Sequence, residues 1–154
     1  MSLPADTFTS TYDNYRIIFS DFTGTNQDYA IMRLRASGSD NSTTNYFYRL
    51  DERSSTGPGG GSPDETATGN SATSWAKALY VIPAGKCSFS FELYNPKASV
   101  RTQMTALGTR DLNAVTYTFL QGFSFNATTS FDSLSVIANT GTITGKYSVF
   151  AYAK

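Results

Sequence analysis

The stretch Cys87-Ser-Phe-Ser-Phe-Glu-Leu-Tyr94 alternates bulky apolar side chains with small or polar ones. Phe89, Phe91 and Leu93 fall on one side of an extended chain, and serine and glutamate side chains fall on the other. A period of two is typical of a β-strand with one buried face. Asn95-Pro96 then ends the strand, because the residue before a proline and the proline itself disfavour continuation.

Similar short runs occur on both sides of this stretch, separated by turn-forming Gly, Asn, Asp, Ser and Thr residues. No segment carries a sustained apolar stripe at helical spacing. We therefore expect an all-β protein, an antiparallel β-sandwich of jelly-roll type with about eight or nine strands. The other expected strands cover 15–22, 29–37, 45–50, part of 75–83, 102–107, 115–119, 133–137 and 142–152, and 122–126 is a further aromatic segment.

Length and composition favour one domain, because the chain has 154 residues of which 40% are hydrophobic. Residues 1–14 are mostly polar, so we expect an extended N-terminal arm that is free or lies on a neighbouring subunit. A single β-sandwich domain then covers 15–154. Within it, residues 51–74 contain nothing more apolar than alanine and predict a flexible polar loop. We favour a loop over a linker, since the strands before it are too few to stand alone.

Charge and residue types exclude several functions. Lys plus Arg and Asp plus Glu number 12 each, so no net charge attracts the chain to nucleic acid or to an anionic membrane. The chain has no histidine, which removes the usual general base and most zinc sites. The single Cys87 has no partner for an internal disulfide. We expect no catalytic residue, no cofactor and no metal, in a soluble protein that is not exported.

Two acidic pairs flank the polar loop: Asp51 with Glu52, and Asp64 with Glu65. Glycan hydrolases act through two carboxylates, so these four residues are the candidates if the protein is an enzyme. Carboxylates beside a polar loop are usually solvated, and we expect no enzymatic activity. An enzyme would lose turnover when these residues are replaced.

Some strands carry apolar or aromatic residues on both faces, which predicts contact with another subunit. In 29–37, Ala30, Met32 and Leu34 share the face expected to cover the core, and the opposite face also carries large side chains. The last strand likewise has aromatic residues on both faces. We therefore expect a homo-oligomer. The residues expected at a subunit or capsid interface are Tyr12, Tyr15, Tyr29, Ile31, Arg33, Arg35, Phe150 and Tyr152.

The segment 134–152 has a Gly141-Thr-Ile-Thr-Gly145 turn that leads into a strand ending in aromatics. It resembles the closing hairpin of small jelly-roll domains in virion proteins of tailed bacteriophages. The segment 12–22, followed by Met32-Arg-Leu-Arg35 and Asn45-Tyr-Phe-Tyr48, resembles the start of the same modules. The resemblance implies a non-catalytic virion surface protein, commonly a trimer. Such proteins are capsid decoration (cement) proteins, head knobs or tail-fibre tips.

A decoration protein fits this resemblance best, because a fibre protein usually has a long attachment and shaft region before its tip. We expect the chain to oligomerise and to stabilise the head by docking on the major capsid protein, on a virion assembled in the host cytoplasm. The alternative is a tail-fibre or receptor-binding tip that recognises host surface glycan. The tyrosines available to stack on sugar rings would be Tyr46, Tyr48, Tyr80 and Tyr94.

Overall fold

The computed structural model describes residues 1–54, 63–83, 87–112 and 115–152, with the backbone alone for 63–66 and 111–112. The regular elements among these residues are all strands, arranged in two antiparallel sheets around one apolar core. The all-β class and the antiparallel sandwich are confirmed, with eleven strands rather than eight or nine in the described part of the chain. They are β1 (Asn14–Gly24), β2 (Asp28–Ala36), β3 (Ser39–Asp40), β4 (Tyr46–Ser54), β5 (Pro63–Ala72), β6 (Trp75–Val81), β7 (Cys87–Tyr94), β8 (Thr102–Leu112), β9 (Val115–Phe125), β10 (Ser133–Ala138) and β11 (Ile143–Tyr152).

The larger sheet has seven strands in the order β11-β1-β7-β8-β9-β4-β5. Every neighbouring pair in it is antiparallel. β7, β8 and β9 form a meander within this sheet, whereas β1 lies between β7 and the last strand. In the smaller sheet, β2 pairs with β10 on one side and with β3 and β6 on the other. In the larger sheet the first strand, β1, pairs with the last strand, β11, so both ends of the chain are held in one sheet.

The core lies between the sheets and is rich in aromatic rings. Phe89, Phe91 and Leu93 are buried, as their alternation predicts. Trp75, the one tryptophan of the chain, is fully buried in β6. Its Nε1–H donates to the carbonyl oxygen of Ser124 at 3.0 Å, which joins the smaller sheet to β9 of the larger one. A buried indole needs such an acceptor, so this bond fixes the orientation of the ring.

The first nine residues pack against their own domain. The backbone N–H of Leu3 donates to the backbone carbonyl of Leu134 at 2.9 Å, and the backbone N–H of Phe8 donates to the backbone carbonyl of Asp132 at 2.8 Å. The side chains of Leu3 and Phe8 are buried, and the Phe8 ring lies 4.9 Å from that of Tyr15. Two apolar anchors thus hold this segment on the sandwich, instead of leaving it free or on a neighbour.

Much of the expected loop 51–74 is a pair of strands. Residues 51–54 continue β4, and β5 pairs with β4 at the edge of the larger sheet. Residues 55–62 of the expected loop lie outside the described residues. Gly69 of β5 lies so close to the ring of Tyr48 that a Cβ there would approach Cε1 to 2.0 Å. Backbone pairing and this close packing form an edge strand that apolar periodicity does not reveal.

Candidate functional site

The face of the larger sheet that points away from the smaller one, here the outer face, carries an exposed apolar row. Ile18, Ser90, Leu107 and Leu120 are successive register partners across β1, β7, β8 and β9. Leu107 exposes 58% of its surface and Leu120 exposes 61%. Neighbouring leucines this exposed on a sheet face are typical of a contact surface. We call Ile18, Leu107 and Leu120 the apolar row.

Two aromatic side chains of β11 extend this surface. Phe150 and Tyr152 expose 53% and 41% of their surface. They line a shallow groove together with Arg16 and Ile18. Because Ile18 belongs to both features, the groove is continuous with the apolar row.

A neutral cluster of polar groups lies beside this groove. Arg16 Nε donates to Glu92 Oε1, and the hydroxyl of Tyr152 donates to Glu92 Oε2. The hydrogen bond to Glu92 raises the pKa of Tyr152 to about 12. It also raises the pKa of Arg16, with the charge of the carboxylate adding to the effect. Glu92 is thus bonded within the face, which leaves the cluster with no net charge.

Another charge on the same face is paired in the same way. Arg49 Nε lies 3.4 Å from Asp51 Oδ2 on β4. Exposed pairs of this kind contribute little to stability. Arg16 and Arg49 are thus each balanced by a carboxylate on the same face as the apolar side chains.

A second polar cluster lies inside the sandwich. Glu52 accepts from Arg110 Nη2 through Oε1 and from the Tyr29 hydroxyl through Oε2, the latter at 3.0 Å. Burial, the first cause, and the neighbouring carboxylate raise the pKa of Tyr29 far above its usual value. The Arg110 guanidinium lies 3.5 Å from the ring centroid of Tyr80. Both oxygens of Glu52 are engaged, so this cluster supports the fold.

The acidic residues considered for catalysis do not form a described pair. Asp51 and Glu52 are consecutive in β4 and therefore face opposite sides of the sheet. Asp51 lies beside Arg49, while Glu52 is buried with Arg110. The side chains of Asp64 and Glu65 lie outside the described residues. Asp51 and Glu52 thus cannot flank one glycosidic bond.

The expected interface residues of the C-terminal strand lie where a partner has access. Phe150 and Tyr152 are exposed on the outer face, and Tyr12 is 39% exposed near the edge of the Tyr15 ring. Tyr15 itself is only 1% exposed, and its hydroxyl bonds to the backbone of Thr9. Its side chain belongs to the core, because Tyr15 shares the inward face of β1.

The expected interface residues of β2 lie in the smaller sheet and do not join this surface. Ile31, Arg33 and Arg35 are half-buried. Arg33 Nε donates to the carbonyl of Thr73 at 3.1 Å, and Arg35 Nε lies 3.4 Å from Asp40. Tyr29 is engaged with Glu52 inside the sandwich. The eight expected residues are therefore divided between two sheets and the core.

The apolar row is not predicted from the sequence, although its signal is present. The predicted strands end at Leu107 and at Phe119, so Leu107 is the last residue of one and Leu120 lies just beyond the other. The outer face of β9 carries Thr116, Thr118, Leu120, Gly122 and Ser124, so Leu120 is its one large apolar side chain. A single leucine among hydroxyl side chains and glycine indicates a contact point on the solvent face.

The tyrosines proposed to stack on sugars are mostly inaccessible. Tyr46 is fully buried, and Tyr80 is 8% exposed. Tyr46 donates to the carbonyl of Asn41 at 2.9 Å and belongs to the core. Tyr48 and Tyr94 are half-buried. Tyr46 and Tyr80 therefore cannot act as sugar-stacking platforms.

No protein-family model, curated protein or solved structure matches this chain. The part of the chain that the structure describes has no helix long and apolar enough to cross a membrane. In that same part, no group of three or more Cys, Asp or Glu side chains is placed to hold a metal ion.

Proposed function

We propose that the protein is a non-catalytic structural component of a bacteriophage virion, a decoration protein that docks on the capsid lattice through the outer face. The observation that carries the proposal is the apolar row, in which Leu107 and Leu120 lie side by side and more than half exposed. Burying such side chains contributes about 1–2 kcal/mol each. A partner surface that covers the row gains this free energy.

Two observations support a protein partner, one from the charges of this face and one from the sequence. Arg16 is paired with Glu92, and Arg49 with Asp51, so neither of these arginines needs a polyanion to balance it. The segments 12–22 and 134–152 resemble virion jelly-roll modules, which supports the major capsid protein as the partner. Docking of many copies on one lattice stabilises the shell by mass action, without any chemical step.

A receptor-binding tip that recognises host glycan is the second candidate. One observation favours it: a shallow groove of the larger sheet is lined by Phe47, Tyr48, Arg49 and Asn70. Aromatic rings beside planar polar groups match the apolar faces and hydroxyls of a sugar ring. This groove lies on β4, β5 and β9, away from the aromatic residues of β11.

Copy number in purified virions separates these candidates. A decoration protein is expected at a ratio near that of the major capsid protein, measured by quantitative protein gel or mass spectrometry. A trace ratio assigns the protein to the tail and favours the glycan candidate. Absence from virions overturns the structural proposal.

Variants of the apolar row test the docking face. Leu107→Asp and Leu120→Asp place a charge in the contact, and each is expected to weaken binding to capsids lacking the protein by about 30-fold or more. Val100→Asp is the matched control, because Val100 is 46% exposed in the connection between β7 and β8, outside the strands of the outer face. Equal binding by Leu107→Asp and Val100→Asp contradicts docking through this row.

A further inference from the structure

Three of the four sheet edges are covered or interrupted. The edge of β10 is covered by the first residues of the chain, through a bridge between Ser2 and Ser135. The opposite edge of the smaller sheet is formed by the two-residue β3 and by β6, which has a positive φ of 56° at Lys77. One edge of the larger sheet is β5. At two points along its pairing with β4, β5 contains an extra residue that interrupts the register. Bulges and short strands are common protections against edge-to-edge pairing.

The fourth edge, β11, is regular and open. It runs in unbroken register with β1 from Lys146 to Tyr152. The single irregularity of this pair lies between Ser20 and Thr23, so the extra residue is in β1. Among the described residues, the backbone of β11 pairs with β1 alone. Its other side therefore presents unpaired N–H and C=O groups, which form a template for a further strand.

We propose that two copies of this chain pair through β11, antiparallel about a two-fold axis, and so join their larger sheets into one. Direction of the strands favours this arrangement. Because the larger sheet has seven strands that are all antiparallel to their neighbours, its two edge strands, β11 and β5, point in the same direction. Head-to-tail joining of β11 to β5, with the outer faces on one side, would require a parallel pair. A two-fold axis between the two copies of β11 produces an antiparallel pair, which is more stable per residue than a parallel pair.

Charge does not oppose this pairing. Lys146 is the one charged residue of β11. Its Nζ lies 2.9 Å from Asp21 Oδ2 of the same chain, so the positive charge is already balanced. Two copies of β11 thus meet without net repulsion, although lysine on an edge strand usually prevents such contact.

The side chains of β11 select one register. With Ser148 on the axis, Lys146 of one copy lies opposite Phe150 of the other, which allows an ammonium group to contact a ring face. Tyr147 then lies opposite Val149, an aromatic and β-branched pair that stabilises antiparallel strands. Shifting the axis to Lys146 would lose both of these contacts. On the strength of these contacts we assign Ser148 to the axis.

This inference is independent of the capsid assignment, because it concerns the chain's own edge. It adds one consequence for docking. The two-fold axis is perpendicular to the sheet, so both copies present their outer faces on the same side. A dimer would therefore offer a partner two copies of the apolar row at once.

The solution mass tests the pairing. The chain has a mass of 16.7 kDa, and light scattering after gel filtration is expected to give twice this mass. Ser148→Lys combined with Phe150→Lys places three lysines in one file and is expected to raise the dissociation constant about 100-fold or more. The matched control, Thr105→Lys with Thr118→Lys, adds the same charge at exposed positions of the central strands β8 and β9. Trp75 fluorescence checks that each variant is folded.

Cross-linking tests the register. Under mild oxidation, Ser148→Cys is expected to form a disulfide-linked dimer, because the two thiols face each other across the axis. Thr118→Cys, in central strand β9, is the control and is expected to remain uncross-linked. A wild-type protein of single-chain mass, or a three-chain mass, overturns the proposal. So does a dimer that persists in the Ser148→Lys and Phe150→Lys variant, or one that dissociates in the Thr105→Lys and Thr118→Lys control.

Discussion

Glu52 and Arg110 form an ion pair inside the sandwich, with 2% and 6% of their side chains exposed. Burial alone would lower the pKa of Arg110, but the hydrogen bond and charge of Glu52 raise it above its usual value. The pair joins β4 to β8, and the Arg110 guanidinium also lies 4.1 Å from the ring centroid of Tyr117. Each charge therefore offsets the free-energy cost of burying the other.

Removing one partner of this pair is expected to destabilise the fold strongly. Glu52→Gln should lower the free energy of unfolding by about 3–5 kcal/mol, because it leaves the Arg110 charge buried and unbalanced. The double variant Glu52→Leu with Arg110→Met should be more stable than Glu52→Gln, since neither charge remains. Urea denaturation measures both. Arg49→Gln is the control at an exposed pair and should cost less than about 1 kcal/mol.

Two glycines of adjacent strands should respond differently to alanine. A Cβ at Gly108 would lie 2.3 Å from Cδ1 of Phe89, its register partner on β7. Gly108→Ala should therefore lower stability by about 1–3 kcal/mol, because the core ring must move. At Gly122 nothing lies within 4 Å of a new Cβ. Gly122→Ala should be neutral or slightly stabilising, and equal denaturation midpoints for the two variants would contradict this packing.

Asp28 should contribute stability that depends on pH. Burial would raise the pKa of this carboxyl, but hydrogen bonds from Asn139, Thr140 and the backbone N–H of Tyr29 outweigh it and lower the pKa below 3.8. A lowered pKa stabilises the fold above the ordinary value for aspartate, and this contribution is lost as the pH falls through the lowered value. Asp28→Asn should cost about 1–2 kcal/mol at pH 7.

The cost of Asp28→Asn should shrink towards zero in acid, because the wild-type carboxyl is then also protonated. Thermal denaturation between neutral and acidic pH measures the difference. Asp6→Asn provides the control, since Asp6 is exposed and asparagine tolerates its positive φ of 57°. A difference between wild type and Asp28→Asn that stays constant with pH would show that the carboxylate is not the stabilising form.

Tyr152 should ionise late. Its hydrogen bond to Glu92 raises its pKa from 10.0 to about 12, so the protonated phenol is the stabilising form. The contribution is complete below the ordinary value and is lost as the pH rises through the raised one. The absorbance difference between wild type and Tyr152→Phe should titrate near pH 12. In a Glu92→Gln background the same difference should titrate closer to the ordinary value.

The sequence predicts strands well where one face is apolar and the other is polar. Alternation in 87–94 and in β2 gives the correct buried residues, because a period of two places alternate side chains on one face. It fails for β5, whose pairing depends on its backbone. Strand order is also beyond local patterns, since β1 pairs with β11 at the other end of the chain.

The candidate site is only partly predictable for the same reason. Phe150 and Tyr152 are recognisable from the sequence as candidate contact residues, because they are alternate residues of one strand and so lie on the same face of it. The row formed by Ile18, Leu107 and Leu120 needs four strands in register, because Ser90 of β7 lies between Ile18 and Leu107, and each residue alone is unremarkable. Tyr29 alternates with the core residues Ala30 and Met32, yet it turns to Glu52, because that buried carboxylate requires a donor.

Cys87 is fully buried between β1 and β8, with Phe22 and Arg110 as its register partners. A thiol in this position reacts with a modifying reagent only after the strands around it separate. Because the chain has one cysteine, each modified molecule records one opening event at the start of β7. The rate of modification of the unaltered protein thus reports how often the strands separate around this end of β7 under native conditions.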